Sequence, residues 1–359
     1  MEMMDISNAE RYSCLITPGT NQTILELHKN GVIPTIDVHG TGLTLDADRR
    51  VIADTTSYIY NAVAAGTTDY YKQYVLVNSG AIGLLLNREK ETAYSSVKTP
   101  SQTGEGIVFI RAVAYNVTYT VKIDDSQVAQ HTTPKADADD NEISTTDVAE
   151  ALTTQINTQS GFTAESEQYV IHVKKDDGTT FKLSIDDGRS SELANAFTDK
   201  VTDLSKLPIL CVNNYIVEVE GDPSTALDNR WLKFATNVDG DDFGEGGWSE
   251  TVKAGIEYKL DSNTMPLVLF RAEDDVFFIG PADGATRTIQ GTGTPDDPQY
   301  SFTFPQWGER TAGDEESSPD PEFVGQKIKD HAVFRSRYVV CAGETVQFSE
   351  TNDIFNFFN

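Results

Sequence analysis

The chain has 359 residues, 38% of them hydrophobic, and sets 28 Lys and Arg against 56 Asp and Glu for a formal net charge of −28. That length exceeds one simple core and suits two or three domains, and the apolar content excludes disorder throughout. No apolar run approaches 18 residues and no basic cluster is denser than Arg49-Arg50, which argues against a membrane span and against a groove that grips phosphates non-specifically.

Met1 to Glu10 has neither a basic segment nor an apolar core, so no secretory leader is expected. The cysteines (Cys14, Cys211, Cys341) are odd in number and far apart. They point away from a disulfide framework or zinc site and toward a reducing folding environment such as a bacterial cytoplasm.

In chain order, Ile24–His28 and Val32–Val38 flank Asn30-Gly31, a pair that accepts the positive φ angles of a tight hairpin. Tyr74–Val77 and Ile82–Leu86 flank Asn78-Ser79-Gly80 as a second hairpin. From Val113 to Ile123 apolar residues alternate with polar ones, predicting strands over Ile107–Tyr115 and Val117–Ile123, or one long bent strand. The acidic stretch Asp137–Glu142 reads as a loop. Ser144 and Asp147 then supply a capping hydroxyl and a first-turn acid, and Val148, Leu152 and Ile156 recur on one helical face. Tyr169, Ile171 and Val173 alternate, Asp176-Asp177-Gly178 turns the chain, and Phe181, Leu183 and Ile185 alternate again. Leu193, Phe197, Val201 and Leu204 suggest a short helix or two turns.

Tyr215, Val217 and Val219 predict a strand paired with Trp231–Ala235, and the sheet is expected to continue through Trp248–Val252 and Glu257–Leu260. Val268–Arg271 and Val276–Ile279 form a further pair. Gly280–Pro321 is rich in Gly, Pro, Asp and Thr and reads as loop. Val333–Val340 and Thr345–Phe348 close the chain as a hairpin around Ala342-Gly343-Glu344. The fold class is therefore mainly β, built from antiparallel hairpins, with a small α+β insertion. The expected boundaries are 1–104 for the hairpin region, 105–206 for the insertion, 207–312 for an antiparallel domain with its long loop, and 313–359 for a return to hairpins.

Catalytic signals are weak. No G-x-S-x-G elbow is present, and the five histidines are scattered, His172 falling where a strand would show its outer face. Asp137, Asp139 and Asn141 imitate a calcium loop, as do Asn237, Asp239 and Asp241. Both fail where Gly and the closing Glu are required, having Glu142 and Val148, or Asp242 and Trp248. Trp231, Trp248 and Trp307 could stack on sugars, but each also suits a core. Gly291-Thr292-Gly293 lacks the rest of a phosphate cradle. No catalytic residue, cofactor or metal is expected.

Several segments together carry a resemblance. They include Glu10–Thr17 followed by Ile24-Leu25-Glu26-Leu27, Leu85-Leu86-Asn87-Arg88, and Ser205-Lys206-Leu207-Pro208. Further on come Trp231-Leu232-Lys233-Phe234, Gly247-Trp248-Ser249-Glu250-Thr251, Thr264-Met265-Pro266 running to Arg271, then Trp307, Arg310, Phe323-Val324-Gly325, Phe334-Arg335-Ser336-Arg337-Tyr338 and Phe355-Asn356-Phe357-Phe358. In this order they resemble the tail nozzle proteins of short-tailed bacteriophages (podoviruses), the tail tubular protein B family. The family's proteins are longer, so the chain reads as an excerpt without an N-terminal segment and the C-terminal half.

The resemblance implies a non-enzymatic virion component with a β-propeller-like nozzle architecture, assembled in the host cytoplasm. It further implies a hexameric ring around the DNA exit channel, with the neck adaptor (tail tubular protein A) and tail fibres as partners, no sequence-specific DNA binding and no membrane insertion. An acid-lined channel would repel phosphates and let DNA slide. Asp137, Asp139, Asp140 and Glu142, with Asp314, Glu315 and Glu316, are the candidates to face the lumen or a neighbour; plain surface solvation is the alternative for each. The competing functional readings are a module that binds or hydrolyses host glycan and a calcium-stabilised adhesin.

Overall fold

The computed structural model describes residues 2–7, 10–62, 70–138, 142–221, 229–273, 275–290 and 299–358. The protein is mainly β, with many antiparallel sheets, and Thr145–Ile156 is the one α-helix among the described residues. The chain divides into two compact units: Met1–Val97 with Glu257–Arg310 and Pro319–Asn359, and Lys98–Ile256 with Thr311–Ser318.

The first unit is organised around a five-stranded sheet in the order Thr35–Val38, Val276–Gly280, Leu267–Arg271, Ile82–Asn87, Tyr74–Ser79. Its central strands are buried on both faces, so their sequences read as unbroken apolar runs. By the two-residue period, Leu85, Leu269 and Phe277 enter one core with Tyr12, Leu25 and Leu27. Leu84, Val268 and Phe278 enter a second core with Trp307, Phe323 and Tyr338. The first core is closed by a sheet ordered Glu2–Ser7, Glu10–Gly19, Gln22–His28, Val51–Ala53, Leu43–Leu45. The second is joined by the meander Ile328–Phe334, Arg337–Ala342, Thr345–Phe348.

Several local expectations change here. Asn30 (φ 53°) and Gly31 (φ 80°) do form a tight turn, and Lys29 and Val32 exchange backbone hydrogen bonds of 2.9 and 3.0 Å. The hairpin stops there. Pro34 lacks the N–H a ladder needs, and Thr35–Val38 instead pairs in parallel with Val276–Gly280. The second hairpin forms as expected, turning on Gly80-Ala81 between the paired Ser79 and Ile82. Gly280–Pro321 is not all loop: Thr286–Ile289 and Tyr300–Thr303 pair as a ribbon, while 291–298 lies outside the described residues. Val333–Val340 is not one strand either, because Arg335 (φ 49°) and Ser336 (φ 60°) turn the chain and make a three-stranded meander. Glu257–Leu260 forms only isolated bridges, from Lys259 to Glu309 and from Leu260 to Tyr94. Leu267–Arg271 pairs with Ile82–Asn87 across a long sequence separation, so this segment joins the first unit's central sheet and not the strands around Trp231.

The second unit repeats the principle. A four-stranded sheet, ordered Phe162–Glu167, Val170–Lys175, Glu105–Ile110, Ala194–Phe197, is covered on both faces. Val108, Ile110, Ile171 and Val173 pack with the helix residues Val148, Leu152 and Ile156. Ile107, Phe109, Val170 and Phe197 pack the other way, against Tyr215, Val217 and Phe234. Val217 and Phe234 belong to a sheet ordered Lys200–Val201, Ile216–Val219, Arg230–Thr236, Phe243–Glu250, Leu210–Val212, and Tyr215 immediately precedes its second strand. A third sheet, Ser126–Thr132, Thr118–Ile123, Leu183–Asp186, completes the helix-side core.

The helix begins where expected: the Ser144 hydroxyl accepts from the Thr146 N–H at 3.1 Å. The alternation from Val113 to Ile123 does not make one long strand. Asn116 (φ 54°) turns the chain, and Thr133 Oγ1 donates to the Ala114 carbonyl at 2.7 Å, so Glu105–Ile110 and Thr118–Ile123 enter different sheets. Two hairpin strands, Ser126–Thr132 and Phe162–Glu167, carry no clear apolar alternation; each pairs with a strand that does. Leu193–Leu204 is not helical: Phe197 and Val201 sit on short strands facing the Tyr215 core, and Leu204–Lys206 is a single 3-10 turn. The strand expected over Trp248–Val252 runs over Phe243–Glu250.

Truncating the helix face should therefore be felt by the whole second unit. Leu152→Ala is expected to cost about 2–5 kcal/mol and Ser144→Ala about 1 kcal/mol, read from urea unfolding midpoints at constant m-value. Equal, negligible effects would contradict the helix packing described.

Candidate functional site

Both acidic stretches belong to the second unit. Asp137 and Glu142 are exposed, whereas Asp139 and Asp140 lie outside the described residues. Glu315 and Glu316 are exposed, and Glu315 stands 4.0 Å from Lys253. Asp314 is half-buried and serves its own turn, its Oδ1 accepting from the Ser317 N–H at 3.0 Å and the Glu316 N–H at 3.1 Å. Burial alone would raise the Asp314 carboxyl; these hydrogen bonds outweigh it and hold the group below its ordinary range. The 237–242 turn is likewise organised by its backbone, with Thr236 Oγ1 donating to the carbonyls of Val238 and Asp241.

The densest polar chemistry is interior. Asp187, 2% exposed, accepts from four backbone N–H groups: Arg189 and Ser191 at 2.8 and 3.0 Å, Leu193 and Ala194 at 2.7 and 3.2 Å. Its burial is offset by these bonds, which lower its pKa and fold the 187–194 loop around the carboxylate. His172 is not on an outer face. Its side chain is fully buried because the sheet has no outer face there, and its ring nitrogens lie 2.8 Å from Glu105 and 3.3 Å from Glu165. Glu105 is pulled below the carboxylate range, chiefly by the His172 hydrogen bond.

In the first unit His331 is also buried. Nε2–H donates to the Val75 carbonyl at 3.1 Å and Nδ1 accepts from the Tyr338 hydroxyl at 2.6 Å. Burial lowers its pKa from 6.5 to about 4. Between those values the unfolded chain binds the extra proton, so stability is full above pH 6.5 and falls as the pH drops toward 4. The loss is on the order of 3 kcal/mol. Thermal midpoints of wild type and His331→Gln should converge or cross over this window, because the variant lacks the titration. Parallel curves would show that His331 does not carry it.

Among the described residues, two cavities stand out in the second unit. The larger, about 470 Å³, is lined by Arg111, Lys200, Lys206, Ser190, Asn195 and Glu220 among others. The smaller, about 250 Å³, includes Glu105, Asp199, Gln102 and Trp231. Among the described residues no group of three or more His, Cys, Asp or Glu side chains is arranged to hold a metal ion.

The segments behind the family resemblance are mainly structural. Asn87 is fully buried and donates from Nδ2 to the Tyr58 carbonyl at 2.9 Å, while its own N–H meets the Tyr58 hydroxyl at 3.0 Å. Arg310, 1% exposed, pairs with Asp320, donates to the Glu257 carbonyl at 3.0 Å and lies 5.9 Å over Phe358. Met265 is fully buried beside Thr264, whose hydroxyl accepts from the Ala93 N–H at 3.0 Å. Trp248 packs edge-on against Phe234 and donates to the Pro208 carbonyl at 2.8 Å.

Comparison with known proteins agrees with this pattern. The chain is 27% identical over 275 residues to "Tail tubular protein gp12" of Escherichia phage T7, an alignment covering 75% of this chain and 31% of that protein. The chain thus spans about a third of the relative's length. The family model described as "Bacteriophage nozzle protein" matches residues 31–359, nearly the whole chain, and the protein therefore belongs to the bacteriophage nozzle protein family.

Proposed function

We propose that the chain is a structural piece of a short-tailed phage's tail, forming part of the wall of the DNA exit channel. In this reading six copies surround the channel in a β-propeller-like nozzle, assembled in the host cytoplasm and docked to the neck adaptor and tail fibres. Family membership over residues 31–359 carries the proposal. Sheets covered on both faces suit a wall that must hold its shape under load, since close-packed interiors have low compressibility.

A second feature fits a ring contact. On the meander Ile328–Phe334, Arg337–Ala342, Thr345–Phe348, one face carries Tyr338 and Val340 into the core. The opposite face carries Phe334, Val346 and Phe348, each half or more exposed. Val346 and Phe348 on one edge strand, with Phe334 on the opposite edge strand of the same face, suit a neighbouring copy. The surplus negative charge, including Asp137, Asp139, Asp140, Glu142, Asp314, Glu315 and Glu316, would make a lumen repel DNA rather than bind it.

Hydrolysis of glycans is less well supported. Among the described residues the larger cavity is lined by a single carboxylate, Glu220, where a glycosidase needs two. In the smaller one Glu105 is lowered by His172, the reverse of what a general acid requires.

Light-scattering mass of the purified chain, alone and with the neck adaptor, tests the reading. A six-fold assembly, or a complex formed only with the adaptor, is expected, and Val346→Asp with Phe348→Asp should weaken it without lowering the thermal midpoint. A strictly monomeric chain that ignores the adaptor would overturn the proposal.

A further inference from the structure

We propose that the 470 Å³ cavity of the second unit is a binding site for a sugar residue carrying one oxyanion, either a phosphosugar or a uronic acid. The inference is independent of the channel-wall reading. Its first support is charge. The protein carries −28 overall, yet among the described residues the cavity brings Arg111, Lys200 and Lys206 together against Glu220 as the one lining carboxylate. Lys200 is partly neutralised by Glu218 at 2.9 Å and Glu220 at 3.9 Å. Lys206 lies in the field of Asp203 and donates to Thr202 Oγ1 at 2.8 Å, whereas Arg111 donates to the Ser205 carbonyl at 2.9 Å and lies 5.7 Å over Phe109. A guanidinium held by a carbonyl and a ring still has N–H donors for an oxyanion.

The second support is an amide that faces the cavity without a protein partner. Asn195 lines the cavity, is only 8% exposed, and its side chain makes no hydrogen bond among the described residues. Its polar atoms are not among those buried without a partner, so solvent reaches them, and a ligand hydroxyl or carboxylate could take the place of that water. The hydroxyls of Ser190, Ser191 and Ser205 add donors and acceptors around it. Size argues for a sugar over a bare anion, because small-ligand sites run from about 300 to 1,000 Å³. Charge argues against DNA: a polyphosphate must approach the whole negative molecule, whereas one oxyanion needs only the local field.

Titration calorimetry on the full chain with glucose 6-phosphate, glucuronate, glucose, inorganic phosphate and a short DNA duplex provides the test. One or both charged sugars should bind, glucose and phosphate more weakly, and which charged sugar binds identifies the oxyanion. Lys206→Ala and Arg111→Ala, both at exposed positions, should each weaken binding about tenfold or more, and Asn195→Asp should abolish it by adding a negative charge. Unchanged thermal midpoints for Lys206→Ala and Arg111→Ala separate lost binding from misfolding. Equal binding of glucose, binding of phosphate as tight as that of the sugars, binding of DNA alone, no binding, or indifference to all three substitutions would each overturn the proposal.

Discussion

Each unit is built around a sheet with no face left for water. Backbone groups in such a sheet can be satisfied only by the neighbouring strand, and a one-residue slip would exchange the two cores. In the first unit that would move Leu85, Leu269 and Phe277 into the place of Leu84, Val268 and Phe278. In the second it would exchange Val108 and Ile110 with Ile107 and Phe109. Register is thus specified twice over. Polar groups caught in this interior, His172 with Glu105 and His331 with Tyr338, are partnered, as burial demands.

The acid excess has a local explanation besides any long-range field. A mainly β chain needs many turns, and Asp repeatedly closes them by accepting an N–H two residues on. Asp54 does so with Thr56 at 2.8 Å, Asp177 with Thr179 at 2.9 Å, Asp203 with Ser205 at 2.7 Å and Asp261 with Asn263 at 3.0 Å. The carboxyls of Asp54, Asp177 and Asp203 are correspondingly held below their ordinary range, chiefly by hydrogen bonds from the residues they cap. Most of the ion pairs are at least partly exposed and contribute little to stability, so much of the surplus charge stays available to repel another polyanion.

The motifs that define the resemblance sit where packing is least forgiving. Arg310, Trp307, Met265 and Asn87 are almost fully buried, and each ties a loop to a core. Their burial explains why such residues mark the family through packing. The cavity beside Asn195 lies apart from most of them, touching only Ser205 and Lys206.

Periodicity and capping chemistry were enough to determine the mainly β class, the helix behind Ser144 and the turns at Asn30-Gly31 and Gly80. They act over a few residues, and local rules suffice there. Partner choice was another matter. Thr35–Val38 leaves its hairpin for the distant Val276–Gly280, and Ser126–Thr132 becomes a strand with little apolar signal because the neighbouring Thr118–Ile123 supplies its hydrogen bonds. The same limit hid the buried state of His172 and the convergence of Arg111, Lys200, Lys206 and Asn195. Two-faced burial and cavities arise from layers contributed by remote segments, and only the tertiary structure decides which layers meet.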